Sequence, residues 1–375
     1  MLKYYSLILV VIGGLLIFFA FSGMKETAGE IKLPAGFVIE TFAEGLGESQ
    51  AYPGPNTGPR FMEFVDGTLV VSLTGQGKVV SLPDTNKDRE ADKTIEFLSG
   101  LNRPHGLAVY NDWIYIAEED KVIRVKYANS GELKPVGNKE ALVPLPAGGG
   151  HFTRTISIFN NSLYVSIGSS CNVCYEQDNR RAAILKCSIE GKDCELFASG
   201  LRNSVGFVFQ GNELWATENG RDLLGDDLPP EEINIVREGQ NYGWPICYGN
   251  KIHDTDFDKN VYIRNPCEDT EPAFIELQAH SAPLGLAFYF GNNFPEKYKG
   301  NLFVAYHGSW NRREPTGYKI VRIDTETKQV EDFATGWLKG PAVTGRPVDI
   351  VVAEDGSMLV SDDNAGKIYR IWYKG

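Results

Sequence analysis

Residues 200–245 read GLRNSVGFVFQGNELWATENGRDLLGDDLPPEEINIVREGQNYGWP. Two short runs rich in β-branched and aromatic residues, 207–209 and 213–217, flank Gly211 and Asn212, which is the pattern of a tight hairpin. A further strand is expected over 233–236, and NYGWP closes the unit as a turn. An Arg-Asn pair, Arg202 and Asn203, stands just before the first strand. A loop holding Gly220, Gly225, two prolines and several carboxylates follows the second. Glycines there allow the backbone to turn its carbonyls one way, and carbonyls with carboxylates suit a calcium ion. The same loop also reads as an acidic, solvated hairpin end, with Arg202 capping a strand.

Working outward, the strand–turn–strand unit recurs. The first unit runs over 36–83, the second over 95–127, the third over 151–169 and 182–191, the fifth over 284–324 and the sixth over 343–373. Six such units with almost no amphipathic helical periodicity predict an all-β fold, a six-bladed β-propeller, in place of a sandwich. The polar, irregular stretch 247–271 reads as an insertion stapled by its cysteines. Residues 1–23 stand apart: Lys3 precedes an uncharged apolar run over 4–21, followed by SGMKETAGE. That is an N-terminal export signal or an uncleaved membrane anchor. A linker follows over 24–33, and the propeller domain is expected over 34–375.

The chain carries a formal charge of −12, which argues against nucleic acid and anionic membrane surfaces as partners. Membrane association is therefore expected only through the N-terminal segment. Its 40 glycines and 17 tyrosines fit a turn-rich β protein. The six cysteines fit an exported protein, periplasmic or extracellular, with disulfides. Proximity in sequence favours Cys171 with Cys174, Cys187 with Cys194, and Cys247 with Cys267. A zinc site built on CNVC lacks a second CxxC.

In a propeller the residues entering each innermost strand shape one end of the channel. Those positions hold Arg60, His105, His151 with Arg154, Arg202 with Asn203, and Arg346. His151 follows three glycines, and a neutral imidazole there is a suitable general base. A histidine merely hydrogen-bonded within a glycine loop fits the same residues. His105, in NRPHGLAV, reads as a turn histidine.

GLRN, TENGRD, GDDLPPEEIN and NYGWP, in this order, resemble the soluble quinoprotein sugar dehydrogenases, the glucose/aldose, L-sorbosone and pyranose dehydrogenase group. The resemblance covers nearly all of residues 31–375. It implies a propeller that binds pyrroloquinoline quinone (PQQ) and Ca2+ and oxidises a sugar or sugar aldehyde, passing electrons to an external acceptor. It implies His151 as the catalytic base and Arg202 with Asn203 at the quinone carbonyls. Main-chain carbonyls of Gly220 and Arg221 would hold the metal, with Asp222 in support. Asn241 and Tyr242 would lie beside the cofactor. His307 and Trp310 in HGSWNR would face it, Arg60, Arg312 and Arg346 would meet its three carboxylates, and Arg154 would bind the cofactor as a cation close to His151. Related members carry glutamine two positions after the Asn; this chain has Val205. Two other readings stay open: a calcium-dependent propeller lactonase, and a non-catalytic carbohydrate-binding propeller.

Overall fold

The computed structural model describes residues 31–47 and 58–375. The apolar N-terminal run lies outside the described residues. Six four-stranded antiparallel sheets form the architecture, with two extra two-stranded ribbons. Their innermost strands are Pro59–Val65, Leu107–Tyr110, Arg154–Phe159, Phe207–Gln210, Pro283–Phe288 and Pro347–Val352. Each innermost strand touches the next around the ring. The chain is therefore the six-bladed β-propeller that the repeat predicts. Among the described residues only Thr74–Gln76 and Glu296–Tyr298 are helical, each a single 3-10 turn, and no helix is long and apolar enough to cross a membrane.

The blades differ from the sequence units by one strand. Phe37–Ala43, read as the start of the first unit, pairs antiparallel with Lys367–Tyr373 and is the outer strand of the last blade. Ile95–Leu98, read as opening the second unit, pairs with Lys78–Leu82 and completes the first. The physical reason is ring closure. A strand from the N-terminal end covers the otherwise unpaired edge of the last blade, and each leading strand becomes the outer edge of the blade before it.

Alternating residues of neighbouring blades fill six wedge-shaped cores. The wedge between blades five and six is aromatic, with Tyr289, Phe294, Phe303, Phe333 and Trp337 all buried. The wedge between blades six and one joins Phe42, Leu359 and Ile368 to Met62 and Leu69, which seals the ring. On the axis, Phe61, Val205, Leu284 and Val348 form a small apolar plug. His105 stacks on Phe61 with ring centroids 4.4 Å apart, and Thr155 donates to the carbonyl of Val205. Each blade thus contributes one residue to a floor across the channel.

Close approach at that floor requires glycine. A Cβ added at Gly206 would sit 2.1 Å from the Leu284 carbonyl oxygen of the next blade. Gly206→Ala is expected to cost about 1–3 kcal/mol, because two innermost strands must move apart. Urea unfolding of the two proteins measures this; equal midpoints would contradict it.

The three disulfides are Cys171–Cys174, Cys187–Cys194 and Cys247–Cys267, as proximity suggests. The last closes the 247–271 insertion.

Candidate active site

Above the apolar floor the channel opens into a cavity of about 300 Å³. Its charged wall combines Arg60, Arg202 and Arg346 with Asp222 and Glu231, and three histidines, His151, His280 and His307, join them. Asn203 and Gly220 also line it, and Trp310 stands at its mouth, 74% exposed. Every one of these residues lies in a loop or strand end at the same face of the ring. The propeller thereby gathers groups from blades one, three, four, five and six.

His151 owes its position to the glycines before it. Gly149 has φ +91°, and a Cβ there would fall 2.7 Å from the Cα of Ser170. The Gly150 amide donates to Ser170 O at 2.6 Å, so the glycine run packs against residues 169–171. His151 Nδ1 lies 3.0 Å from Ser169 O and 2.9 Å from Ser169 Oγ. A carbonyl only accepts, so Nδ1 carries the proton and Nε2 is left as the basic nitrogen. Burial first, and the Arg202 charge second, push the imidazole down to about 3, against the Ser169 bond. It is neutral near pH 7.

Arg202 is only 4% exposed and spends all five of its N–H donors on protein acceptors. Nε donates to Asn172 O at 2.8 Å, and Nη1 to Asn219 O and Gly220 O at 3.0 and 2.8 Å. Nη2 reaches Asn172 Oδ1 and Asp222 Oδ2 at 2.9 and 3.1 Å. It acts as a fixed buried charge with no spare donor. Asn203 differs: its Oδ1 accepts from Thr153 Oγ1 at 3.1 Å, and its Nδ2 has no protein partner among the described residues. The Asn203 amide is the available donor of the pair.

Two buried carboxyls support this wall. Glu218 accepts from Asn203 N at 2.8 Å and Ser204 Oγ at 2.7 Å. Glu231 accepts from Gly220 N at 2.7 Å and Ala282 N at 3.1 Å. Burial pushes each up to about 8. Opposite, Asp363 is fully buried and bridges Arg60 at 2.6 Å and His307 Nε2 at 2.9 Å. Arg346 donates to Gly308 O and Tyr318 Oη, both at 3.2 Å. His307 is thus held between the Asp363 carboxylate and the Arg346 guanidinium, whose Nη1 lies 3.5 Å from its Nδ1.

Five residues expected at the site lie off the cavity. Arg154 is fully buried and donates to the carbonyls of Pro146, His151 and Thr153, so it shapes the His151 loop from behind. Arg221 turns its side chain to Asp254 at 3.1 Å, under the 247–271 insertion. Tyr242 is packed in the core between blades three and four, with its hydroxyl donating to Ile235 O at 2.7 Å. Asn241 caps the same turn through Gly243 N at 2.9 Å. Arg312 pairs with Asp227 at 2.8 Å and clips the fifth-blade segment to the fourth-blade loop. His105 lies in the floor below, with burial holding it well under the usual imidazole range.

The sequence reading missed Glu231, His280 and Asn311. Asn311 Nδ2 donates to Asp222 Oδ1 at 2.6 Å, and His280 Nε2 lies 2.7 Å from Gly225 O. Glu231 stood unremarked in the acidic loop because the strand expected over 233–236 begins two residues earlier, at Glu231, in the structure. Among the described residues the one grouping of three His, Cys, Asp or Glu side chains close enough to hold a metal is Cys171, Cys174 and Glu176, and its two sulfurs are already joined. Among the described residues no cluster of three His, Cys, Asp or Glu side chains at metal-ligand spacing lines the cavity.

The family model described as TrAA12-like matches residues 54–374. The chain belongs to that family. It is 35% identical over 373 residues to an uncharacterized protein of Borreliella burgdorferi, covering 93% of each chain. It is 24% identical to the pyrroloquinoline quinone-dependent pyranose dehydrogenase of Coprinopsis cinerea, covering 81% of this chain and 51% of that one. The chain thus spans about half the length of that curated relative. In fold it is similar to the holo form of the PQQ domain of the same pyranose dehydrogenase, with a TM-score of 0.76 at 21% identity, covering 92% of this chain and 97% of that domain. The PQQ-bound aldose sugar dehydrogenase of Streptomyces coelicolor gives a TM-score of 0.62 at 16% identity, covering 91% and 99%.

Proposed function

We propose that the protein is a quinoprotein dehydrogenase that oxidises a pyranose or sugar aldehyde with PQQ and calcium. One observation carries the reading: a half-buried, neutral histidine base shares a cavity with three arginines in a chain of net charge −12. A cation-lined cavity in an acidic protein is the electrostatic signature of an anionic ligand. PQQ, with three carboxylates, fits that donor set. Arg60 and Arg346 on one side would meet its carboxylates, and the Asn203 amide would meet a ring oxygen. Trp310 offers an exposed flat face at the mouth. The Gly220 carbonyl, Asp222 and Glu231 are hard oxygen donors on one wall, and they suit calcium.

When bound, PQQ supplies a two-electron hydride acceptor, and calcium supplies Lewis-acid polarisation. The chain's own residues do the rest. His151 Nε2 takes the hydroxyl proton of the sugar while Nδ1–H stays on Ser169, which keeps the ring aimed. The buried Arg202 charge stabilises negative charge developing in the cavity without a direct bond. Membership of the TrAA12-like family and the pyranose dehydrogenase likeness support the substrate class. The three disulfides support an exported, oxidising location, with electrons leaving to an external acceptor.

The test is dye reduction by the chelator-treated protein over a panel of aldoses and pyranoses. Activity is expected only when PQQ and calcium are both restored. Lactone hydrolysis without PQQ, or sugar binding with no oxidation, would overturn the reading.

A further inference from the structure

Residues 169–174, SSCNVC, touch both halves of the site. No strand holds this segment, which lies between Ser162–Ile167 and Ala183–Ser188. At one end Ser169 orients His151 Nδ1, and its own Oγ donates to Cys171 O at 2.6 Å. In the middle stands Asn172. Its carbonyl and Oδ1 take two of the five Arg202 N–H groups. The same Oδ1 accepts from Asp222 N at 2.8 Å, and its Nδ2 donates to Asp222 O at 3.1 Å. One asparagine therefore fixes the buried cation and the acidic residue beside Gly220.

What fixes the asparagine is covalent. Cys171 and Cys174 flank it and are bonded to each other. Ser170 adds a second tether, its Oγ donating to Glu176 at 2.8 Å. Both cysteines are half-buried, so a small thiol can reach the bond.

We propose that residues 169–174 form a bracket in which Asn172 is a positioning residue for Arg202 and Asp222, and that the Cys171–Cys174 bond makes this positioning sensitive to small dithiols. The catalytic consequence rests on the dehydrogenase reading; the positioning does not. A dithiol attacks one sulfur as thiolate, forms a mixed disulfide, and closes on itself to a cyclic disulfide. The dithiol supplies two electrons, and Cys171 and Cys174 each end with one proton. Asn172 then sits in an open loop, and Arg202 loses the partner that supplies two of its five acceptors.

The experiment compares wild type, Asn172→Ala, and the Cys171→Ser/Cys174→Ser and Cys187→Ser/Cys194→Ser double variants. The last removes a disulfide of the third blade with no contact to the cavity. Three quantities are read: kcat against KM with PQQ and calcium, the PQQ dissociation constant, and hydrogen exchange of the Arg202 15Nε–H signal, assigned by its loss in Arg202→Lys. Asn172→Ala is expected to lower kcat by about 10²-fold with KM within about threefold, since a small misplacement of a catalytic charge costs that much. The Arg202 Nε–H donates to the main-chain carbonyl of Asn172, so it is expected to stay protected in Asn172→Ala, which keeps that carbonyl, and to exchange freely in the 171/174 variant, while the 187/194 variant matches wild type. Dithiothreitol is expected to lower wild-type activity, re-oxidation to restore it, and the 171/174 variant to be indifferent to both. An unchanged kcat in Asn172→Ala, or unchanged Nε–H protection in the 171/174 variant, overturns the proposal. If wild type oxidises no sugar with PQQ and calcium, the dehydrogenase reading fails, and the bracket is judged on the Nε–H signal alone. Should Asn172→Ala not fold, the thiol treatment of folded wild type decides: loss of Nε–H protection supports the bracket, and retained protection overturns it.

Discussion

His151→Ala is expected to lower kcat for sugar oxidation by about 10³- to 10⁴-fold while leaving PQQ affinity within about threefold. The ring lines the cavity, its Nδ1–H is committed to Ser169, and Nε2 has no protein partner among the described residues. Removing it deletes the base and leaves the arginine set intact. The same residue fixes the pH profile. Burial and Arg202 depress its value from the ordinary 6.5 to about 3. Its neutral form therefore persists far below the usual imidazole midpoint, and kcat/KM from this group stays flat down to about pH 4 or 5. The sign for stability is the same. The contribution from burying this ring neutral is fully present above 6.5 and is lost as pH falls towards about 3. A pH–rate limb near 6.5 that disappears in His151→Ala would contradict the assignment of a depressed base.

Arg202→Lys keeps the charge and is expected to be nearly as damaging as its removal. A lysine has three donors at one point, where the guanidinium serves five acceptors in a fork. At least two half-buried acceptors among Asn172, Asn219, Gly220 and Asp222 lose their partner, at about 1 kcal/mol each. Urea unfolding of the protein without PQQ should register this, and kcat should fall by about 10²-fold as the charge shifts. Arg312→Lys is the internal contrast. Its partner Asp227 is 84% exposed, so an effect within about 1 kcal/mol is expected. Equal losses in the two variants would mean that the five-donor geometry of Arg202 has no special weight.

Much of this was legible in the residues. Six strand–turn–strand units predicted the propeller, and cysteines close in sequence predicted the three bonds. Cations at successive blade entries predicted a charged cavity, and nine of the residues singled out, His151, Arg202, Asn203, Gly220, Asp222, Arg60, His307, Trp310 and Arg346, line it. What failed depends on ring geometry. Phe37–Ala43 reads as a leading strand because nothing local says that Lys367–Tyr373 will need an outer partner. NYGWP looks as polar as a site, yet Tyr242 is needed to fill the wedge between two blades. Arg154 and Arg221 sit next to site residues but turn away from the cavity, Arg154 to the carbonyls behind His151 and Arg221 to Asp254. Asn172 was hidden within CNVC, where the cysteines drew the reading towards metal or disulfide chemistry. The sequence spacing between 172, 202 and 222 carries no sign that one amide joins them.

The central claim is that the cavity holds PQQ within reach of the His151 base. Its most direct test loads the wild-type and His151→Ala proteins with PQQ and calcium and follows the bound quinone absorbance on adding an aldose under anaerobic conditions. Both proteins are expected to bind the quinone, and only wild type is expected to lose the oxidised spectrum within the mixing time. Equal reduction in the two proteins, or no quinone bound by either, would contradict the account.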